Sequence, residues 1–371
     1  MGHCRNSGFS LIRKQARCVD FSGRPGRITV VKPSPSPLVI PVFIPHEGCP
    51  HDCVFCNQRR ISGFVGSRVV AEDVRAIVSR WLARKGSRNR PVQVAFYGGS
   101  FTGLPTGRQQ ELLGAVAPFV EQGKVDLLRL STRPDYIDSQ RIALLTGYHV
   151  GVVELGVQSL DNRVLALSRR GHTAEDVQAA VPRLRQAGLE VGLQLMLGLP
   201  GQDRASIRRT VEQAVLLQPD FVRLYPVLVV ENSVLAGMYA RGVYKPLTLD
   251  MAVLLAAWMK KQFDRAGIRV VRMGLQPGRD LEQALVAGPY HPAFGELVMS
   301  RLMLARTRKL LARAGSDSPI RLVINDKDQS VFRGMQSVNI KRLQGLGWWK
   351  NMTLHTDPSQ PRHTVRRIPD P

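Results

Sequence analysis

Cys49, Cys53 and Cys56 fall in one short run, GCPHDCVFC, directly after the apolar segment Val39 to Pro45. Three thiolates can hold three corners of a cubane iron-sulfur cluster, whereas a cluster that only carries electrons normally takes a fourth cysteine. The other two cysteines, Cys4 and Cys18, lie in a basic N-terminal stretch with little sign of fold. The pattern therefore favours a cluster with one iron open to an outside ligand. The same trio could instead hold zinc with His46 or His51 as fourth ligand. Structural zinc sites usually show two separated ligand pairs, and no second Cys-x2-Cys or His-x3-His follows here.

A loop of this kind needs a scaffold that brings other residues to it. Apolar, β-rich runs recur at Val39 to Pro45, Val92 to Tyr97, Leu127 to Ser131, Val152 to Leu155, Val191 to Leu197 and Phe221 to Tyr225. Several are continuously apolar, as parallel strands covered on both faces are. Between them lie amphipathic stretches near Val70 to Arg84, Gly107 to Glu121, Ser139 to Thr146, Thr173 to Ala187 and Ala205 to Leu217. Gly188 and Pro219 stand where helix stops are expected. Six β/α units with right-handed crossovers predict an α/β fold, an open partial (β/α)6 barrel whose ligands sit at the carboxyl ends of the strands. The motifs all fall on that rim: the cysteine loop, YGGSFTG, STRPD, ELGVQS, MLGLPG and YP follow strands one to six in turn.

Charge and size narrow the partners. The 371 residues hold 52 Lys and Arg against 29 Asp and Glu, a formal charge of +23. Such a field attracts polyanions, RNA first among them, although an arginine-rich composition alone gives the same excess without a binding stripe. Hydrophobic content is 44%, and no apolar run approaches the ~20 residues of a membrane span, so no membrane partner is expected. A trio of ligating thiols requires a reducing compartment, which predicts a cytoplasmic setting.

The spacing Cys-x3-Cys-x2-Cys, with Phe55 before the last cysteine, resembles the radical S-adenosylmethionine (SAM) superfamily. YGGSFTGLP, STRPDYID, ELGVQSLDNRVLALSRRGHTAEDV and QLMLGLPGQ resemble, more narrowly, the radical SAM domain of the Elongator catalytic subunit and, more distantly, oxygen-independent coproporphyrinogen oxidase. The likeness spans about Val39 to Glu231. It implies a 4Fe-4S cluster on Cys49, Cys53 and Cys56, SAM on the open iron, and a reduced flavodoxin- or ferredoxin-type electron donor. It also implies that Phe43 touches SAM, that Phe55 packs on adenine, and that Gly98, Gly99 and Ser100 form the methionine-binding turn. Ser131 falls where the family has an acid, and Gln194 where it has an aspartate for the ribose hydroxyls. Gln158 would reach the ribose side and Arg170 the SAM carboxylate. The last two roles also make sense chemically, since a guanidinium suits a carboxylate and an amide can orient hydroxyls.

Some residues stay open between two readings. Glu154, inside an apolar strand, is either a site carboxylate or a paired core charge. Arg133, Asp135, His172 and Tyr225 would line the substrate side, though His172 could equally precede a helix capped by Thr173. RMGLQP (Arg272 to Pro277) and YHPAFGEL (Tyr290 to Leu297) either close the barrel mouth or are ordinary turns.

The expected organisation is a basic, unstructured arm at 1–37, a radical SAM core at 38–231, a small α/β extension at 232–356 and a disordered tail at 357–371. The extension is expected to hold helices at Thr248 to Ala266 and Phe294 to Arg313 and strands at Ile268 to Arg272 and Arg321 to Ile324. The Elongator subunit has a longer gap between its first two cluster cysteines and an acetyltransferase domain after the radical domain, and this chain matches neither. The expected function is reductive cleavage of SAM to a 5′-deoxyadenosyl radical for tRNA modification. The alternatives are radical chemistry on a tetrapyrrole or other small metabolite, and a non-catalytic, metal-stapled RNA-binding module.

Overall fold

Strand registers show why the apolar runs are continuous. The computed structural model describes residues 36–44, 47–49, 51–57, 68–84, 86, 90–312, 319–350 and 352–368. The chain divides into units Met1–Ser36 and Pro37–Pro371, and the fold described is that of the second; the expected basic arm lies outside the described residues. The strands are β1 (Leu38–Phe43), β2 (Val92–Tyr97), β3 (Leu127–Thr132), β4 (Val150–Gln158), β5 (Glu190–Leu197), β6 (Phe221–Pro226), β7 (Val229–Val230), β8 (Arg269–Met273), β9 (Leu285–Ala287), β10 (Ile320–Ile324), β11 (Met352–Thr356) and β12 (Arg366–Ile368). Seven of them form one parallel sheet in the order β1-β2-β3-β4-β5-β6-β8, curled into a half-barrel.

One face of that sheet packs on helices. Ile40, Val94, Leu130, Val153, Leu155, Leu193, Leu195 and Leu224 are all buried against Val74 and Val78, Leu112 and Leu113, Val177 and Val181, and Val211 from the connecting helices. Side chains alternate across a strand, so Tyr97, Arg129, Ser131, Glu154, Gln194, Arg223 and Tyr225 share the other, concave face. Caps fall where the sequence places them: Thr173 and Asp176 form a capping box on helix Ala174–Gln186, and Asp203 accepts from Ser206 N at 2.7 Å at the start of helix Arg204–Leu217.

Four features depart from expectation. The six β/α units form the half-barrel as read, and the strand expected at Ile268 to Arg272 joins it as a seventh: β8 pairs in parallel with β6, Arg223 opposite Arg272, so the main sheet runs past the expected boundary at 231. The helix expected over 107–121 is two, Thr106–Gly114 and Ala117–Glu121, because Pro118 lacks an amide hydrogen and cannot continue the first helix. Short antiparallel strands β7 and β9 form an unforeseen pair.

The tail 357–371 is also not disordered where it is described. β12 pairs antiparallel with β10, beside β11, in a three-stranded sheet with its own apolar core. Asn325 Nδ2 donates to the carbonyls of Pro358 and Gln360 at 3.2 and 2.7 Å, and the buried Asp328 accepts from Arg362 Nε at 2.6 Å. A buried carboxylate needs partners, and the tail supplies both Arg362 and the His363 amide.

Candidate active site

At the carboxyl end of β1 the chain turns through Gly48 at φ +71° and lies on the turn that follows β2. Backbone meets backbone there: a Cβ on Gly48 would fall 2.3 Å from Ser100 O, one on Gly99 2.4 Å from Glu47 O, and one on Gly103 2.1 Å from Gly48 O. Ser100 N donates to Glu47 O at 3.2 Å, and Arg108 holds the Glu47 carboxylate through Nε at 3.0 Å and Nη2 at 3.1 Å. The two rim turns are thus one packed unit.

The cysteine loop is moored on its far side too. Val54 N donates to Ser168 O at 3.2 Å, Leu235 N to Val54 O at 2.7 Å, and Asn57 Nδ2 to Glu231 O at 2.8 Å. Cys53 is 3% exposed, and Arg170 bridges it to the end of β4, donating from Nη1 to Cys53 Sγ at 3.2 Å and from Nη2 to Gly156 O at 2.5 Å. Gly171, at φ +71°, lies against the His51 ring, which a Cβ would meet at 2.3 Å. The three cysteines share this loop, but among the described residues no three His, Cys, Asp or Glu side chains converge as ligands of one metal ion. The donor set still suits an iron-sulfur cluster, being three thiols in one anchored turn. The buried Arg170 Nε has no acceptor, and a carboxylate bound beside the loop would satisfy it.

The remaining candidate residues ring the same mouth. Gly98 takes φ +97° at the end of β2. The Ser100 hydroxyl is buried, 3.0 Å from Thr132 Oγ1, and accepts from Arg133 N at 3.3 Å. Gln158 closes β4 in a left-handed conformation, φ +64°, at a register irregularity, and a Cβ on Gly156 would approach its amide nitrogen to 3.2 Å. Phe43 is exposed at the end of β1, its ring 6.4 Å from that of Tyr97. Phe55, half-buried, packs with one side beside an apolar cluster of Val54, Val164, Leu199 and Val227.

Below the rim a charge lattice fills the concave face. Glu154 is fully buried and accepts from Tyr97 OH at 2.9 Å, Arg129 Nη2 at 2.7 Å, Arg223 Nη2 at 2.9 Å and Gln194 Nε2 at 3.2 Å. Arg223 Nε lies 2.7 Å from its second oxygen. Gly192 leaves room for the Phe221 ring, on which Arg129 stacks at 5.4 Å. Burial and the Glu154 charge push the Tyr97 hydroxyl far above its usual range, so it remains a donor. Burial opposes the Arg223 charge, but Glu154, Tyr225 and Tyr97 outweigh it and hold the guanidinium protonated. Glu154 is therefore a paired charge.

The lattice also orients Gln194. Its amide nitrogen donates to Glu154 and to Ser131 Oγ, each at 3.2 Å, which leaves the amide oxygen as the end able to accept from a ligand. Arg133 pairs with Asp135 through two bonds of 2.9 Å. His172 is buried with Nε2 3.2 Å from Val157 O, and burial together with Arg170 and Arg133 lowers its pKa to about 3. The Tyr225 hydroxyl accepts from Arg223 Nη1 at 3.3 Å.

The model of the radical SAM superfamily matches residues 43–214, and that of the radical SAM C-terminal domain matches 219–303. The chain belongs to the radical SAM superfamily. It is 36% identical over 136 residues to the tRNA uridine(34) acetyltransferase of Methanocaldococcus jannaschii, covering 36% of this chain and 25% of that one. It is 28% identical over 212 residues to protein YhcC of Escherichia coli K12, covering 56% and 66%. Among solved structures, archaeal Elp3 of Methanocaldococcus infernus superposes with a TM-score of 0.56 at 25% identity, over 72% of this chain and 62% of that one. The chain thus spans from a quarter to about two thirds of the length of these relatives.

This chain thus falls in a radical SAM superfamily whose members bind a 4Fe-4S cluster and SAM. The C-terminal family match, from 219 to 303, includes β8, in keeping with the seventh strand. Sequence reasoning missed Glu47, Tyr97, Arg129 and Arg223 in this radical SAM chain. Arg129 and Arg223 each interrupt an apolar strand, as Glu154 does, and that shared anomaly was the available signal. Among the described residues no helix is long and apolar enough to cross a membrane.

Proposed function

We propose that this enzyme cleaves SAM reductively and uses the resulting radical to modify tRNA. The observation that carries the reading is the bridge of Arg170 from Cys53 to Gly156 O, which ties the cysteine loop to the strand ends where SAM would lie. Cys49, Cys53 and Cys56 would hold the cluster. Arg170 would take the SAM carboxylate, and the Gly98, Gly99 and Ser100 turn would receive the methionine end. Gln158, Ser131 and the amide oxygen of Gln194 would meet the ribose, with Phe43 and Phe55 on the adenine side. When bound, the cluster supplies the electron that splits the sulfonium to a 5′-deoxyadenosyl radical. The protein then has to orient the cofactor and exclude water, which the packed rim turns suit. No side chain is assigned a catalytic role.

The tRNA part rests on the relatives named for tRNA uridine(34) acetylation and on the +23 charge. A reducing, cytoplasmic compartment and a flavodoxin- or ferredoxin-type donor belong to the same proposal. The test is anaerobic turnover of reconstituted enzyme with SAM, reductant and total tRNA, followed by mass spectrometry of the nucleosides. The expected result is a nucleoside of altered mass that requires all components. Abundant 5′-deoxyadenosine with no altered nucleoside would refute the tRNA substrate and leave small-metabolite chemistry in its place.

A further inference from the structure

The segment from 294 to 368 contains 14 Lys and Arg but only 5 Asp and Glu, and part of that excess converges. Arg301 and Arg308 lie seven residues apart on helix Phe294–Ala312, two turns along one face. Helix Val338–Gly345 crosses beside them: Asn339 Nδ2 donates to Ser300 Oγ at 2.9 Å and to Ser300 O at 3.2 Å. Arg342 follows Asn339 by one turn and so stands over Arg301. The three are close enough to feel one another, since burial together with the charges of Arg342 and Arg308 lowers the Arg301 pKa.

Acidic groups do not neutralise the cluster. Asp250, at the start of helix Leu249–Arg265, acts weakly on Arg301, and no ion pair among the described residues involves Arg301, Arg308 or Arg342. By contrast Arg362 is committed to Asp328 and Lys260 to Asp264. Like charges left adjacent and unpaired destabilise the compact state and raise the local concentration of anions. Guanidinium groups suit phosphate oxygens, which their planar fork of donors can take bidentately.

We infer that the ridge formed by Arg301, Arg308 and Arg342 is the docking surface for the phosphate backbone of the RNA substrate. This rests on the tRNA reading of the active site and adds the face through which the RNA is held. The ridge lies on helices outside the cysteine rim, so its contacts position the RNA without touching SAM.

The test uses the full, cluster-loaded chain and measures total-tRNA affinity across a salt series. Each phosphate contact contributes about 0.9 to the slope of log K against log salt, so R301Q/R308Q/R342Q should flatten that slope by about 2.7. SAM cleavage in the absence of RNA should stay at the wild-type rate. R80Q, an exposed arginine on helix Ala71–Ala83 at the opposite edge of the sheet, should leave the slope unchanged. If the triple variant does not fold, the exposed single change R308Q should still remove about 0.9. An unchanged slope and affinity in the folded variants would overturn the ridge. So would arginine-dependent binding to phosphatidylserine vesicles with no binding to tRNA. An unchanged slope with tRNA still modified would sink the ridge alone, whereas a flattened slope with no modified nucleoside would sink the substrate reading alone.

Discussion

Glu154→Gln tests the lattice beneath the rim. The wild-type carboxylate is fully buried and receives two guanidiniums, a phenol and an amide. The substitution keeps the volume and removes the charge, leaving Arg129 and Arg223, whose side chains are 9% and 16% exposed, with neutral partners only. Breaking a buried pair in this way costs about 3–5 kcal/mol. Here Gln93 still accepts from Arg129 at 2.9 Å and Tyr225 from Arg223 at 3.3 Å, and both guanidiniums keep their aromatic faces, so the lower end, about 3 kcal/mol, is expected. Tyr97→Phe removes a single bond and should cost about 1 kcal/mol. Urea unfolding of the two variants beside wild type reads the difference. A Glu154→Gln cost equal to that of Tyr97→Phe would refute the argument that a charged lattice holds the concave face. The same variant frees the Gln194 amide to rotate, so KM for SAM should rise even where the protein remains folded.

Arg170→Lys keeps a positive charge but cannot bridge Cys53 and Gly156 O with a planar fork; KM for SAM should rise about tenfold or more, and an unchanged KM would remove Arg170 from the carboxylate site. Gly103→Ala drives a methyl into Gly48 O, which a Cβ meets at 2.1 Å. Overpacking of this kind costs about 1–3 kcal/mol, and iron incorporation should fall before secondary structure by circular dichroism does. His172 has a folded pKa of about 3 against 6.5 when free. Above pH 6.5 it contributes nothing to pH dependence; below, the unfolded chain takes up the proton and the folded one does not. Stability should therefore fall by about 1.4 kcal/mol for each pH unit between 6.5 and 3. His172→Gln should lose that component, and identical pH profiles for variant and wild type would show that the imidazole titrates freely in the fold.

The sequence was most legible where one physical rule acted alone. β2 spans Val92–Tyr97 as its apolar run indicates, because both its faces are buried along most of its length. The helix capped by Thr173 was likewise legible from local chemistry, whereas the turn at Gly98 was placed by resemblance. What depended on distant partners was not. Glu154 stood out as an anomalous charge, yet its partners arrive from β2, β3, β5 and β6, and no spacing rule connects those positions. β8 reads as a strand anywhere, and only its pairing with Arg223 and its neighbours on β6 puts it in the main sheet. The tail misled for the opposite reason: its proline and arginine content suggests disorder, but Asn325 and the buried Asp328 hold it down. Gln194 and Ser131 were placed by resemblance, whereas the bond between them and the commitment of the amide nitrogen to Glu154 belong to this chain's own geometry.

The most direct test of the central claim is electron paramagnetic resonance of the reduced, anaerobically reconstituted protein with and without SAM. The account predicts about four iron and four sulfide per chain, a cluster signal that shifts when SAM is added, and 5′-deoxyadenosine only with reductant, all lost in Cys53→Ala. A fully loaded cluster whose signal ignores SAM and yields no 5′-deoxyadenosine would contradict it.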